Sequence, residues 1–304
     1  MIPLRDTIPS QTYPIVNYTL IGINIFAFFI QLSTGPAMEA FVYTYGLVPA
    51  RFTDAHLRSY FSPGQQLISL VTFMFLHGGF WHILGNMWTL YIFGDNVEDH
   101  LGSFPYLVFY LATGLVSGLL HLMLNLDSNI PTIGASGAIA GVIGAYFSLY
   151  PKSRILTLIP IFIFPLIIEI PAFFFLGIWF VLQVLNAMAT GDMVSGIAWW
   201  AHIGGFVFGI FALQYFAKWP NQGFPERLKL VSMKKRTSDR IQVLHPMGEA
   251  DDVHLYEIIR ITPHEAMAGA KKIINIPWGF YNRMYRLTIP AGTKDGTVLR
   301  LGGQ

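Results

Sequence analysis

Between Arg58 and Lys152 the chain runs without a single lysine or arginine, and most of what lies between is apolar. Water would not hold such a stretch as an exposed surface, whereas a bilayer core about 30 Å thick accepts it in helical spans of roughly 20 residues. Of the 304 residues, 53% are hydrophobic and 12% charged, against roughly 25% charged in an ordinary soluble domain. The expectation is a polytopic membrane protein, and a soluble enzyme of average type is excluded. The absence of cysteine removes disulfide frameworks, zinc fingers, iron–sulfur clusters and thiol catalysis together. No nucleic-acid partner is expected.

Six spans are predicted, at about 16–33, 80–97, 104–124, 134–150, 171–189 and 196–217. The first lacks a small-residue cleavage site and reads as a retained helix. Segment 35–66, with Pro36, Pro49, Pro63, Arg51 and Arg58, is too polar to cross and is expected against the membrane surface. The run Ile155–Ile170 is interrupted by Pro160, Pro165 and Glu169 and reads as a sheet-like or irregular connection. Six spans put both ends on one side, and the lysine and arginine bias makes that side cytoplasmic. The expected location is a prokaryotic cell membrane.

Residues 1–217 hold five Lys/Arg and nine Asp/Glu, residues 218–304 fourteen and eight. Segment 218–242 reads as a basic linker. From 243 to 304 the runs Val253–Thr262, Lys271–Pro277, Tyr285–Pro290 and Thr297–Leu301 alternate with turn chemistry such as Asp295-Gly296, which predicts a small soluble β-rich domain.

A polar side chain inside a span is costly and reads as functional by default. His82 and Asn86 in span 2, His121 in span 3, Ser136 in span 4 and His202 in span 6 are such groups, and His77 lies just before span 2. Spans 2, 4 and 6 run in one direction, so His82, Ser136 and His202 fall within roughly 10 Å of the same end at about 1.5 Å per residue. Gly134-Ala-Ser136-Gly137 sets a hydroxyl at a helix start, where free backbone N–H groups can stabilise an oxyanion. A serine nucleophile needs a base. Lys152, the first lysine, belongs at the opposite face, and no carboxylate lies at that depth in spans 2, 4 or 6, which leaves His202 and a Ser–His dyad. No His-Glu-x-x-His occurs, which disfavours a zinc protease, and no metal is expected.

His77-Gly-Gly-Phe-Trp-His82-Ile-Leu-Gly-Asn86, Gly134-Ala-Ser136-Gly137 and Ala201-His202-Ile-Gly-Gly205 occur in order in spans 2, 4 and 6. In this the chain resembles the rhomboid intramembrane serine proteases over about residues 10–217. The resemblance implies Ser136 as nucleophile, His202 as general base and then acid, and an oxyanion hole from the Ser136 N–H with the His82 and Asn86 side chains. His77, Gly134, Gly137 and Gly205 would be supporting residues. It implies no cofactor, transmembrane proteins as substrates within the bilayer, and span 5, with Phe173 to Phe175 and Trp179, as a lateral gate. One departure is Ala140, where family members often carry an aromatic that packs on the catalytic histidine. Glu265-Ala266 and the run from Ile289 to Gly302 resemble the C-terminal substrate-binding β-domain of DnaJ-type co-chaperones, although His245-Pro246-Met247 is not that family's His-Pro-Asp. Such a domain would add peptide contacts through 243–304.

The expected architecture is therefore a six-helix rhomboid-like bundle, 1–217, a linker, 218–242, and a DnaJ-like β-domain, 243–304. The expected function is an endopeptidase cleaving transmembrane proteins near the outer membrane face. The rivals are a catalytically silent rhomboid-like binding or chaperone factor, and a channel, which would need polar groups along the whole path rather than near one end.

Overall fold

Every one of the six apolar stretches forms a helix, as a backbone deprived of water must. The computed structural model describes residues 1–161, 164–195, 197–219, 241–243, 258–259, 261–278 and 281–299. It divides into two units, Met1–Met233 and Lys234–Gln304. In the first, the apolar helices are α1 (Ile15–Ser33), α6 (Phe80–Leu101), α7 (Ser103–Leu124), α8 (Ser136–Leu149), α9 (Ala172–Ser195) and α10 (Trp199–Phe216), with the short helices α2 (Met38–Tyr45), α3 (Ala50–Thr53), α4 (Ala55–Ser59) and α5 (Pro63–Thr72) between α1 and α6. Among the described residues, three helices are long and apolar enough to cross a bilayer unaided: α1, α7 and Ala172–Ala189 of α9. α5 with the 3₁₀ turn after it, taken together with α6, is a fourth candidate, bent by 75° where Gly78-Gly79 interrupts it. At 14 residues, α8 is only about 21 Å long.

Segment 35–66 folds as short helices fixed by local caps. Asp54 accepts from the N–H groups of His56 and Leu57, and Ser62 with Gln65 closes a capping box at the start of α5. Arg51, one of the charges that made this segment too polar to cross, is 1% exposed. Its guanidinium donates to the carbonyls of Tyr43, Thr44, Gly46 and Gln65 and stands 3.9 Å over the Phe61 ring. It organises the segment from inside.

The helices meet through absent side chains. A Cβ on Gly205 or Gly209 of α10 would overlap the carbonyl of Gly137 or Gly141 of α8, and one on Gly144 would overlap the carbonyl of Phe206. On the other face of α8, Gly137 and Gly141 receive Ser117 and Thr113 of α7. With no hydrophobic drive between helices in lipid, such close approach is what dispersion attraction requires. At the other end of the bundle the start of α1 is held by acids of α6. Glu98 accepts from the N–H groups of Val16 and Asn17, and Asp99 accepts from those of Gln11 and Thr12. This satisfies donors that a helix start leaves unpaired.

The membrane unit is not purely helical. The interrupted run at 155–170 folds as the hairpin β2 (Arg154–Ile161) and β3 (Phe164–Pro171), and β1 (Ile2–Asp6) adds to it antiparallel, in the order β1-β2-β3. β1 was not expected, since its partner lies about 150 residues away and nothing local marks it. Asp6 at its end accepts from Asn96 Nδ2 at 2.8 Å and from Tyr146 Oη at 2.6 Å, tying the strand to α6 and α8.

The second unit contains β4 (Ile241–Val243) parallel to β5 (Ala270–Trp278), and β5 antiparallel to β6 (Tyr281–Ile289). α11 (Pro263–Ala268) starts in a capping box of Thr262 and Glu265. Ile274, Leu287 and Ile289 form a small core, beside the buried pair Lys272 Nζ–Glu265 Oε1 at 2.6 Å. Of the expected strands, Lys271–Pro277 falls in β5 and most of Tyr285–Pro290 in β6. In Val253–Thr262, residues 258–259 and 261–262 are not strand and the rest lie outside the described residues. In Thr297–Leu301, residues 297–299 are likewise not strand. Most of the linker and His245-Pro246-Met247 also lie outside the described residues.

Burial raises the Asp6 carboxyl to about 6, opposed by the Tyr146 hydrogen bond and reinforced by the nearby Asp95. The folded protein then binds a proton that the unfolded chain releases, so stability is greatest in acid and falls as pH rises from about 4 to about 6. Thermal unfolding in detergent should show this decline in the unmutated protein. Asp6→Asn, which can still accept from Tyr146, should flatten it and raise the midpoint above pH 6.

Candidate active site

The N-termini of α6, α8 and α10 lie at one end of the bundle. Ser136 is the first residue of α8, His202 the fourth of α10 and His82 the third of α6. Before Ser136, Gly134 takes φ +132, a conformation open to glycine and rarely to others, and its N–H donates to the carbonyl of Phe73 at 2.9 Å. That turn starts α8 with the Ser136 hydroxyl facing α10, and the glycine contact of α8 with α10 sets the distance. Ser136 Oγ and His202 Nε2 are 2.8 Å apart.

The other ring nitrogen of His202 is also engaged. Nδ1 lies 2.9 Å from Gln183 Oε1, and Gln183, 6% exposed, donates its amide to the carbonyl of Trp179 at 3.1 Å. The His202 ring contacts those of Trp179 and Trp199 at centroid distances of 6.2 and 6.0 Å. Ala140 is wholly buried, its Cβ 3.3 Å from where a Gly205 Cβ would stand. An aromatic there would push α8 from α10, and tryptophans of α9 and α10 meet the histidine instead. Gln183, Trp179 and Trp199 were not singled out as holding His202. For Gln183 the signal existed: it is a polar side chain in a span, the same criterion that picked out His82 and Asn86.

His82 and Asn86 stand one turn apart on α6. The Gly78 N–H donates to His82 Nδ1 at 3.2 Å. A nitrogen that accepts carries no proton, so the neutral ring carries its proton on Nε2. That Nε2 lies 2.9 Å from the point a Gly134 Cβ would occupy, and Ser136 Oγ lies 3.6 Å from the same point. Asn86 Nδ2 is buried with no hydrogen-bond partner among the described residues, a donor left without an acceptor. Unpaired buried donors are rare and call for an explanation.

His77 is fully buried, its ring against His82 at 5.2 Å and Phe28 at 6.5 Å. Its backbone is clamped by Gln31, which donates to the His77 carbonyl at 2.7 Å and accepts its N–H at 3.1 Å. His77 thus backs His82 and does not reach Ser136 through any observed bond. Gly137 and Gly205 serve the helix contact. His121 is buried in α7 beside Asn125, 3.4 Å away. Among the described residues no cluster of three His, Asp or Glu could hold a metal.

A family model described as "Rhomboid domain" matches residues 64–219, a region that stops short of 243–304. Rhomboid protein 1, mitochondrial, of Saccharomyces cerevisiae is 29% identical over 210 residues, 66% of this chain and 53% of that protein. Presenilin-associated rhomboid-like protein, mitochondrial, of Mus musculus is 30% identical over 146 residues, 46% of this chain and 36% of that protein. Presenilin-associated rhomboid-like protein A, mitochondrial, of Danio rerio is 26% identical over 176 residues, 55% and 43%. The chain thus spans about a third to a half of the length of these relatives. All three are mitochondrial by name, which overturns the expectation of a prokaryotic cell membrane with cytoplasmic ends. The physical reason is that hydropathy and charge bias report how a chain sits in a bilayer and carry no information on which bilayer it is.

Gly134→Ala would press a Cβ to within 2.9 Å of His82 Cε1 and Nε2 and strain the φ. A displacement near 1 Å can cost about 10²-fold in rate. If Ser136 is a reactive serine, its labelling by a fluorophosphonate should slow by about that factor while the bundle stays folded. An unchanged rate would show that His82 need not stand where it does.

Proposed function

Since the chain belongs to the rhomboid family, we propose that it is an intramembrane serine endopeptidase acting on transmembrane proteins, with Ser136 as nucleophile and His202 as base. The observation that carries this reading is the 2.8 Å approach of Ser136 Oγ to His202 Nε2, beside the unpaired donor of Asn86. As Oγ attacks the scissile carbonyl, its proton passes to Nε2 and the carbonyl oxygen becomes an oxyanion. His82 Nε2–H, Asn86 Nδ2–H and the Ser136 N–H donate to that oxygen. Collapse breaks the C–N bond, Nε2–H protonates the departing amine, and an acyl ester remains on Ser136. Water then attacks the ester, gives its proton to Nε2, and the proton returns to Oγ as the acid leaves.

No cofactor enters. A helical substrate keeps its carbonyls in internal hydrogen bonds, so cleavage favours small or helix-breaking residues where the helix opens. We assign all six apolar helices as spans, with α8 crossing where the membrane unit replaces part of the lipid thickness. By likeness to the named relatives, the membrane is a mitochondrial one.

We assign Ser136→Ala and His202→Ala complete loss of cleavage of a reporter transmembrane substrate with the fold intact. Asn86→Ala should lower kcat on the order of 10²–10³-fold, the cost of one oxyanion donor, with KM little changed. Cleavage retained by Ser136→Ala would overturn the mechanism. A folded, unmutated protein that neither cleaves nor reacts with fluorophosphonate would make it a silent binding factor.

Residues 1–217 are proposed as the protease domain, 218–242 as a linker and 243–304 as a DnaJ-like peptide-contacting domain. Every group assigned above lies within the first unit, so a chain ending at Gln242 should cleave a short reporter at the unmutated rate. It should lose its preference for substrates with long segments outside the membrane, where tethering raises effective concentration. Loss of all cleavage by the folded truncated chain would put the second unit in the catalytic machinery.

A further inference from the structure

We infer that Gln183 of α9 is the positioning residue for His202, fixing which ring nitrogen faces Ser136. The inference rests on the dyad proposed above, and it follows from the direction of three hydrogen bonds in series. The carbonyl of Trp179, one turn earlier on α9, can only accept, so the group of Gln183 that meets it at 3.1 Å is the amide nitrogen. The amide oxygen is thereby turned toward His202 Nδ1, 2.9 Å away. An amide oxygen also only accepts, so Nδ1 carries the ring proton. In the neutral ring Nε2 is then a lone pair, and it faces the Ser136 hydroxyl at 2.8 Å. A backbone carbonyl of α9 thus sets the tautomer of a base on α10 for a nucleophile on α8.

The same geometry accommodates both protonation states. When Nε2 takes the serine proton, Nδ1–H still donates to the same amide oxygen, and Gln183 neither gains nor loses a proton. Burial of Gln183 keeps water from competing for Nδ1. Trp179, whose ring meets that of His202, belongs to the same turn of α9, so one helical turn supplies both the acceptor and the ring contact.

The test uses the full chain in detergent and reads both fluorophosphonate labelling of Ser136 and cleavage of a reporter substrate. Gln183→Leu, of similar size but without an acceptor, should slow labelling and kcat on the order of 10–10²-fold, as leaving one buried donor unpaired does, with KM unchanged. Gln183→Glu should stay active and shift the acidic limb of the pH–rate profile upward, because a carboxylate at Nδ1 favours the imidazolium, which cannot act as base. A merely structural glutamine would move neither the kcat of a folded leucine variant nor the acidic limb of the glutamate variant, and either result overturns the inference. If Gln183→Leu does not fold, the glutamate profile alone decides. If the unmutated protein does not label at Ser136, the dyad itself fails and this inference with it. If it labels and the leucine variant labels equally fast, the inference alone fails.

Discussion

The site depends on two backbones in contact. Where α8 meets α10, the Cα hydrogens of Gly205 and Gly209 rest against the carbonyls of Gly137 and Gly141, and there is no room for a methyl group. The spacing repeats every four residues, so the two helices are registered along their length and not just at one point. That registration sets the depth of His202 against Ser136, which a looser contact through leucines would leave free by an ångström or more. Rate at such a site is sensitive to displacements of that size. Thus, for the proposed dyad, the stripe of small residues governs the chemistry as much as the packing.

The second constraint is the scarcity of partners in a low-dielectric interior. An unmatched polar group there is expensive, and most of those around the site are matched in one direction only. Trp179 and Gln183 orient one histidine, the Gly78 N–H orients the other, and Gln31 holds the backbone of His77. The exceptions are the two ring nitrogens of His77 and the amide nitrogen of Asn86, all buried with no partner among the described residues; of these, Asn86 stands one turn from His82 on α6. A preorganised site needs such an exception, since a donor already satisfied has nothing to give to charge that develops later.

What the sequence made legible follows from the same scarcity. Apolar length marks helices because lipid allows no other open segment, and Ser136, His202, His82 and Asn86 stood out because polar groups in spans are few. Gln183 met the same criterion and was passed over, since the polar groups were weighed as bases for Ser136 and an amide cannot be one. The burial of Arg51 was not legible, because a charge count says only that a segment is polar, and nothing in the composition says that four carbonyls will enclose one arginine. β1 was illegible for another reason: pairing between residues 2–6 and 154–161 is a property of the folded topology and leaves no trace in a local window. The strand expected at Thr297–Leu301 was read from local pattern and turn chemistry, and in its described part, 297–299, that pattern does not make a strand.

β1 also changes how the helix that carries the serine should be viewed. Tyr146, three residues from the end of α8, is bonded to Asp6 and to Ser153, while the start of α8 is set by the Gly134 turn. The shortest of the apolar helices is therefore clamped at both ends, and one clamp is an outlying pentapeptide near the beginning of the chain. A preparation trimmed there by a protease, or carrying a bulky tag that unseats residues 2–6, would have released the far end of a rigid rod whose near end bears the serine proposed as nucleophile. Batches differing only in that short strand would then differ in specific activity, with nothing altered within reach of the reacting atoms.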